Sequence, residues 1–173
     1  MSNLSKTNNS ARDYTDIPPI PETVWQKPLP FIAFGLGSGT IPFAPGTFGT
    51  LICVPFYLAL QPISTLSYCL ITLFVIFASI WICGKVSRDI NIQDHQGMCL
   101  DEVPGFFVTM IHAPQGWQWV LLGFALFRLF DIWKPWPIRY VDKNIHGGFG
   151  MIFDDVLAGV YAFVIMQIIA KIF

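Results

Sequence analysis

Charge is what this sequence has least of. Only 12% of its 173 residues are Asp, Glu, Lys or Arg, about half the ~25% of an ordinary soluble domain, which is too little polar surface for water. The deficit is concentrated. No charged residue occurs between Pro28 and Gly84, between Val103 and Phe127, or between Val156 and Ala170. A membrane-spanning helix takes about 20 apolar residues, so the first interval is long enough for two passes and the last for one. A net charge of −1 supplies no basic surface and excludes nucleic acid as the principal partner. The four cysteines, Cys53, Cys69, Cys83 and Cys99, are never three apart. That removes a Cys-x-x-Cys redox pair or zinc site, and three of them lie in apolar runs as expected of buried free thiols. Residues 1–27 lack the apolar stretch of a signal peptide, and Asp13, Asp16 and Glu22 argue against a transit peptide.

What is present is a series of apolar segments separated by turn chemistry. Residues 1–29 form a polar, proline-rich tail, whose stretch from Ile17 to Pro30 is expected to be extended. Residues 30–173 read as one membrane-embedded domain. Gly35, Gly37, Gly39, Pro42, Pro45, Gly46 and Gly49 mark a loop, expected to be re-entrant. Phe48 to Leu60 then reads as helix, with Thr47 as its cap. Leu66 to Cys83 is the cleanest transmembrane segment and Phe149 to Phe173 the last. Val103–His112 and Trp117–Phe130 flank the breaker Ala113-Pro114-Gln115-Gly116 and are each too short to span alone. They make either one broken pass or a short hairpin. A hairpin returns Arg128, Lys134, Arg139 and Lys143 to the side of Lys85 and Arg88, and the positive-inside rule favours it. The expectation is an all-α, multi-pass helical protein of about four to five segments, with Lys171 alone among ten basic residues on the far side. A homo-oligomer fits this sequence as well as a monomer does.

On that topology the acids converge. Asp101 and Glu102 open the hairpin, Asp131 closes it, and Asp154 and Asp155 lie near the start of the last helix. Acidic groups at the edge of apolar segments are costly and signal function, and several at one depth cannot all ionise without a cation among them. The donors are all oxygen, and His95, His112 and His146 form no pair at metal-ligand spacing, which suits Mg²⁺ or Mn²⁺ over Zn²⁺. The plainer alternative is that these acids cap helices or pair with Arg128 and Lys134. Lys134 and Arg139, beside the acids, point to an anionic ligand such as phosphate, although bases here also suit anionic lipid headgroups. Trp133 and Trp136 suit a membrane interface. The glycine-rich stretch, with Ser38 and Thr47, is a candidate anion cradle, or else a turn that needs glycine for packing. His146, before Gly147-Gly148, is a candidate proton donor or simply a solvated loop residue. There is no Cys-x5-Arg cradle, no Asp-x-Asp pair and no Ser-Gly-His element, which leaves water activated by a metal ion as the attacking group.

Three stretches resemble bacterial phosphatidylglycerophosphatase A. They are FDIWKPWPIRYVDKNIHGGFGMIFDD (Phe130–Asp155), GSGTIPFAPGTFGT (Gly37–Thr50) and DEVPG (Asp101–Gly105), and the likeness runs from about Phe31 to the C-terminus. The resemblance implies Mg²⁺-dependent hydrolysis of phosphatidylglycerophosphate to phosphatidylglycerol and inorganic phosphate, at the cytoplasmic face of the inner membrane. It assigns metal binding and catalysis to Asp101, Glu102, Asp131, Asp154 and Asp155. Substrate binding goes to Lys134 and Arg139, then Thr47, Ser38 and His146. The competing reading is a small ion or phosphate transporter using the same acids. That reading expects acids at mid-membrane and repeated halves, and the sequence has neither.

Overall fold

The structure is a computed structural model and describes residues 19–41, 43–92 and 95–172. The expectations for the first eighteen residues, Pro42 and Phe173 lie outside these. The described chain is helical, with no strand. In order come α1 (Thr23–Gln26), α2 (Pro28–Ala33), a 3₁₀ segment (Gly35–Thr40), α3 (Pro45–Leu60), α4 (Thr65–Ile90), α5 (Glu102–Thr109), α6 (Trp117–Trp133), α7 (Ile138–Asn144) and α8 (Gly147–Ile172).

Two helices, α4 and α8, are long and apolar enough to cross a membrane. At 1.5 Å per residue each covers about 39 Å, more than a ~30 Å hydrocarbon core. Helix α4 starts where the Ser64 side chain accepts the Ser67 N–H at 3.2 Å and stops at Asn91 in left-handed conformation, a common start and stop. Its exposed side chains include Leu66, Leu70, Leu73, Phe74, Phe77 and Trp81. A helix with apolar residues on its outer side as well as its inner one suits lipid rather than water.

Several boundaries differ from the sequence-based expectation. Helix α3 begins at Pro45, because proline is pre-shaped for the first helical position, and Thr47 lies inside its first turn instead of capping it. The described part of the stretch from Ile17 to Pro30 holds α1 and the start of α2, with Val24 fully buried, where an extended lead-in is expected. Gly84 does not stop α4, which runs on to Ile90. The first part of the glycine-rich stretch, Gly35–Thr40, is a kinked 3₁₀ segment with Leu36 and Gly37 at positive φ, and its last part, from Pro45, is the start of α3.

Helix α8 is the spine, contacting α4, α5, α6 and α7. Its closest partner is α5, and two glycines set that approach. A Cβ on Gly105 would lie 2.5 Å from the Asp155 carbonyl oxygen, and one on Gly159 would strike the Gly105 backbone. Small residues let helix backbones approach this closely, and here they fix Asp155 one turn from the start of α5. Phe106, Met110, Phe127, Ala158, Ala162 and Met166 fill the core around this contact. A second core joins Val24, Phe34, Cys83, Val86 and Ile152. All four cysteines are free, three of them buried.

Helices α5 and α6 form the hairpin that charge placement predicts. At the far turn Gln167 of α8 donates to the Ile111 carbonyl at 3.1 Å. At the near end Arg128 of α6 reaches back to Glu102, the first residue of α5.

Candidate active site

The near ends of α5, α6, α7 and α8 enclose a cavity of about 340 Å³ lined by Asp101, Glu102, Asp131, Lys134, Asp142, His146, Asp154 and Asp155, among others. All five acids expected from the sequence are on its wall, together with a sixth, Asp142. Local structure explains their placement. Asp101 caps α5, its carboxylate accepting the Glu102 N–H at 3.1 Å. Glu102 therefore begins the helix and turns inward, where it is buried. Asp131 lies in the last turn of α6, and Asp154 and Asp155 lie on the buried side of α8.

Two bases divide these acids. Arg128 Nη1 stands 2.9 Å from Glu102 Oε1 and 2.7 Å from Asp131 Oδ2. Lys134 Nζ stands 2.7 Å from Asp142 Oδ1 and 2.6 Å from Asp154 Oδ2. Lys134 follows α6 in left-handed conformation, its N–H on the Phe130 carbonyl at 2.8 Å, and that kink points its side chain back toward α8. Glu102 also accepts a short hydrogen bond from the Thr50 hydroxyl of α3. Burial pushes the Glu102 carboxyl up to about 7, against Arg128 and Thr50, which pull it down. For Lys134 burial acts against the charged form, but Asp154 and Asp142 outweigh it and hold the pKa above that of an ordinary lysine.

The acids outnumber their partners. Asp155 is almost fully buried, and among the described residues no hydrogen bond or ion pair satisfies its carboxylate. Asp154 Oδ1 is buried with no hydrogen-bond partner. Six carboxylates facing one cavity against Arg128 and Lys134 leave an excess of negative charge that a cation would relieve. The donor set is entirely oxygen, as Mg²⁺ prefers. Among the described residues no three His, Cys, Asp or Glu side chains are drawn to one point. Mg²⁺ does not need such a cage, because it keeps several waters and is commonly held by one or two carboxylates.

The expected substrate-binding residues separate. Lys134 and His146 line the cavity, His146 from an exposed position at its rim. Arg139 is on the outer side of Lys134, in a neighbouring depression with Trp133, Trp136, Tyr140 and Lys143. Ser38 and Thr47 do not line the cavity. The Ser38 hydroxyl is turned onto its own segment, donating to the Gly35 carbonyl at 2.8 Å. The glycine-rich motif reaches the site through Gly46 and Thr50 instead. A Cβ on Gly46 would come within 3.0 Å of Arg128 Nη2 and into Glu102, so glycine there leaves room for the ion pair.

The phosphatidylglycerophosphatase A family model matches residues 31–170. This chain belongs to that family. It is 39% identical over 135 residues to phosphatidylglycerophosphatase A of Escherichia coli, covering 78% of each chain. The Haemophilus influenzae phosphatidylglycerophosphatase A is 38% identical over 159 residues, 88% of this chain and 94% of that one. A Bacteroides thetaiotaomicron protein named "Putative phosphatidylinositol-3-phosphatase" is 39% identical over 145 residues, 79% of this chain and 90% of its own. No solved structure matches. Membership in a phosphatase family does not favour the transporter alternative.

Three site residues escape the sequence reading as functional candidates. Arg128 is expected from the sequence to be a topology-setting charge and an ion-pair partner, yet it is the first charge after a 25-residue gap, and such a residue in an apolar helix is a functional signal in its own right. Thr50 ends the quoted glycine-rich motif and lies one turn beyond Gly46, on the same helix face. Asp142 has no local signal, because only the kink at Lys134 brings it to the cavity.

Proposed function

We propose that the protein hydrolyses the terminal phosphomonoester of phosphatidylglycerophosphate, giving phosphatidylglycerol and inorganic phosphate, with Mg²⁺ required. The observation that carries this reading is the cavity in which six carboxylates face Lys134, in a chain of this family. Asp101, Glu102, Asp131, Asp154 and Asp155 would hold the metal. When bound, Mg²⁺ supplies polarisation of the phosphoryl oxygens and a more acidic water. Lys134 takes a phosphoryl oxygen and stabilises the charge that builds there. Arg128 keeps Glu102 and Asp131 turned toward the cavity. Asp154 Oδ1, which has no partner, is an open acceptor for a water proton. His146 at the rim is the candidate proton donor to the departing glycerol oxygen. Arg139, outside the cavity beyond Lys134, is suited to the second phosphate of the lipid, the diester. Ser38 and Thr47 have no contact in this scheme.

Two apolar helices suggest membrane association. The acidic end, which also carries Lys85, Arg88, Lys134, Arg139 and Lys143, would face the cytoplasm and Lys171 the far side, with the bacterial inner membrane as the location. Residues 30–173 are taken as the phosphatase unit, and the stretch 1–29 before it lends Val24 to its second core.

The test is phosphate release by purified protein from phosphatidylglycerophosphate, first with Mg²⁺ and then with EDTA. Release that EDTA abolishes and added Mg²⁺ restores is expected. No release from folded protein with Mg²⁺ present would remove the assignment. Faster release from phosphatidylinositol 3-phosphate would replace the headgroup while keeping the phosphatase.

A further inference from the structure

Helices α3 and α4 are joined by only four residues, yet they hardly touch. Helix α3 packs on the 3₁₀ segment, α5 and α6, whereas α4 packs on α8, α2 and α5. The space between them is a groove of about 430 Å³. One wall is a stripe of α3 that includes Gly49, Ile52, Cys53 and Phe56. The other is a stripe of α4 that includes Ile71, Val75, Ala78 and Ile82. These spacings of three, four and seven are single helix faces, and the two stripes face each other without meeting. Val103 and Phe107 of α5 form the floor, and no charged residue lines the groove. Ile71 to Ile82 spans about 16 Å of helix.

The groove adjoins the acidic cavity through one short piece of chain. Cys99 and Leu100 line the groove, Asp101 and Glu102 line the acidic cavity, and Val103 lines the groove again. The partition is closed from the α3 side by the hydrogen bond from Thr50 to Glu102. A polar pocket and an uncharged apolar slot, lined by consecutive residues of one segment, match a molecule with a phosphorylated head and a long hydrocarbon tail. Side chains on the rim and outer sides of these helices, among them Leu36, Phe56, Leu70 and Phe74, are exposed and apolar, so the slot opens toward lipid.

We propose that the α3–α4 groove holds one acyl chain of the lipid whose phosphate occupies the acidic cavity. This rests on the phosphatase reading above. The groove makes the enzyme sensitive to chain length, so long-chain substrate gains affinity from a surface that does not touch the reacting phosphate.

The experiment compares dioleoyl- and dihexanoyl-phosphatidylglycerophosphate, at fixed mole fraction in mixed micelles, on native protein and on the groove-filling variants Ala78→Phe and Ile52→Phe. KM for the dioleoyl substrate is expected to rise about tenfold, equivalent to losing roughly two buried methylenes, while kcat and the dihexanoyl KM hold. Equal KM changes for both substrates, or none, would overturn the proposal. Native protein gives a fold-independent check. A long-chain substrate carrying a diazirine in one tail should label α3 and α4 residues of the groove, and excess dioleoyl substrate should suppress that labelling. Label spread evenly over the outer faces of α4 and α8 would mean bulk lipid only. Disulfide-linked dimers of Ala78→Cys, absent from native protein, would put a second copy in the groove instead. Failure to release phosphate from either substrate would sink the phosphatase reading, whereas chain-blind hydrolysis would sink the groove alone.

Discussion

At its far end the α5–α6 hairpin is fastened by neutral groups, and at its near end by charges. The far turn is tied to α8 by the Gln167 amide, which donates to the Ile111 and His112 carbonyls at 3.1 and 3.4 Å, and Gln61 donates to Tyr57 beside it. The near end has Arg128 between Glu102 and Asp131, Lys134 between Asp142 and Asp154, and Asp155 buried behind them. Closing a hairpin evidently requires no more than a few amide hydrogen bonds. The near end carries far more charge than closure needs, and removing charged groups from water is expensive. That excess is a cost that the fold does not require, and the proposed ligand site would account for it.

Substitutions at the two ends should therefore separate activity from stability. The largest effect is expected from Asp155→Asn and from Asp131→Asn, each lowering kcat for phosphate release by at least about 10². Full kcat in either folded variant would take that residue out of the site. Next is Lys134→Met, which should lower kcat/KM at least about tenfold, a loss near 1.4 kcal/mol of transition-state stabilisation, measured by initial rates over a range of substrate mole fractions. An unchanged kcat/KM would leave Lys134 as a structural partner of Asp142 and Asp154. Thr50→Val removes a hydroxyl from a buried carboxylate and should cost about 1–3 kcal/mol of unfolding free energy. Denaturant titration reads this, and Thr50→Ser should restore most of it. The smallest effect is expected at the far end, where Gln167→Leu should cost about 1 kcal/mol of stability and leave kcat where it was. A far-end variant that lost activity as severely as Asp155→Asn would erase the distinction between the ends.

Much of this was readable from residue order. The gaps in charge located α4 and α8, since a span must exclude charge over its whole length. The hairpin followed from where Arg128, Lys134 and Lys143 must lie, and the five acids of the cavity followed from the hairpin. Contacts between distant segments were not readable. Thr50 reaches Glu102, and Lys134 reaches Asp142, because of backbone angles at Ala44 and Lys134 that composition does not encode. Helix ends also moved. Proline at position 45 started α3 earlier than an apolar count suggests, and tertiary packing carried α4 through Gly84, where a Cβ would stand 3.3 Å from Gly148. The roles expected of Ser38 and Thr47 came from a motif read as one unit, whereas the fold uses only its last turn at the site.

The brevity of α5 has a consequence for depth. Eight residues cover about 12 Å, well under half of a ~30 Å hydrocarbon core, and Glu102 at their start pairs with a residue five positions before the end of α6. The floor of the acidic cavity, at Glu102, is thus set back by more than a helical turn from that end, while its mouth is level with Asp131 and Lys134, near the exposed Trp133 and Trp136. On the proposed function, a phosphorylated head would enter at the level of that rim, and the lipid would not have to be lifted out of its leaflet to reach the acids.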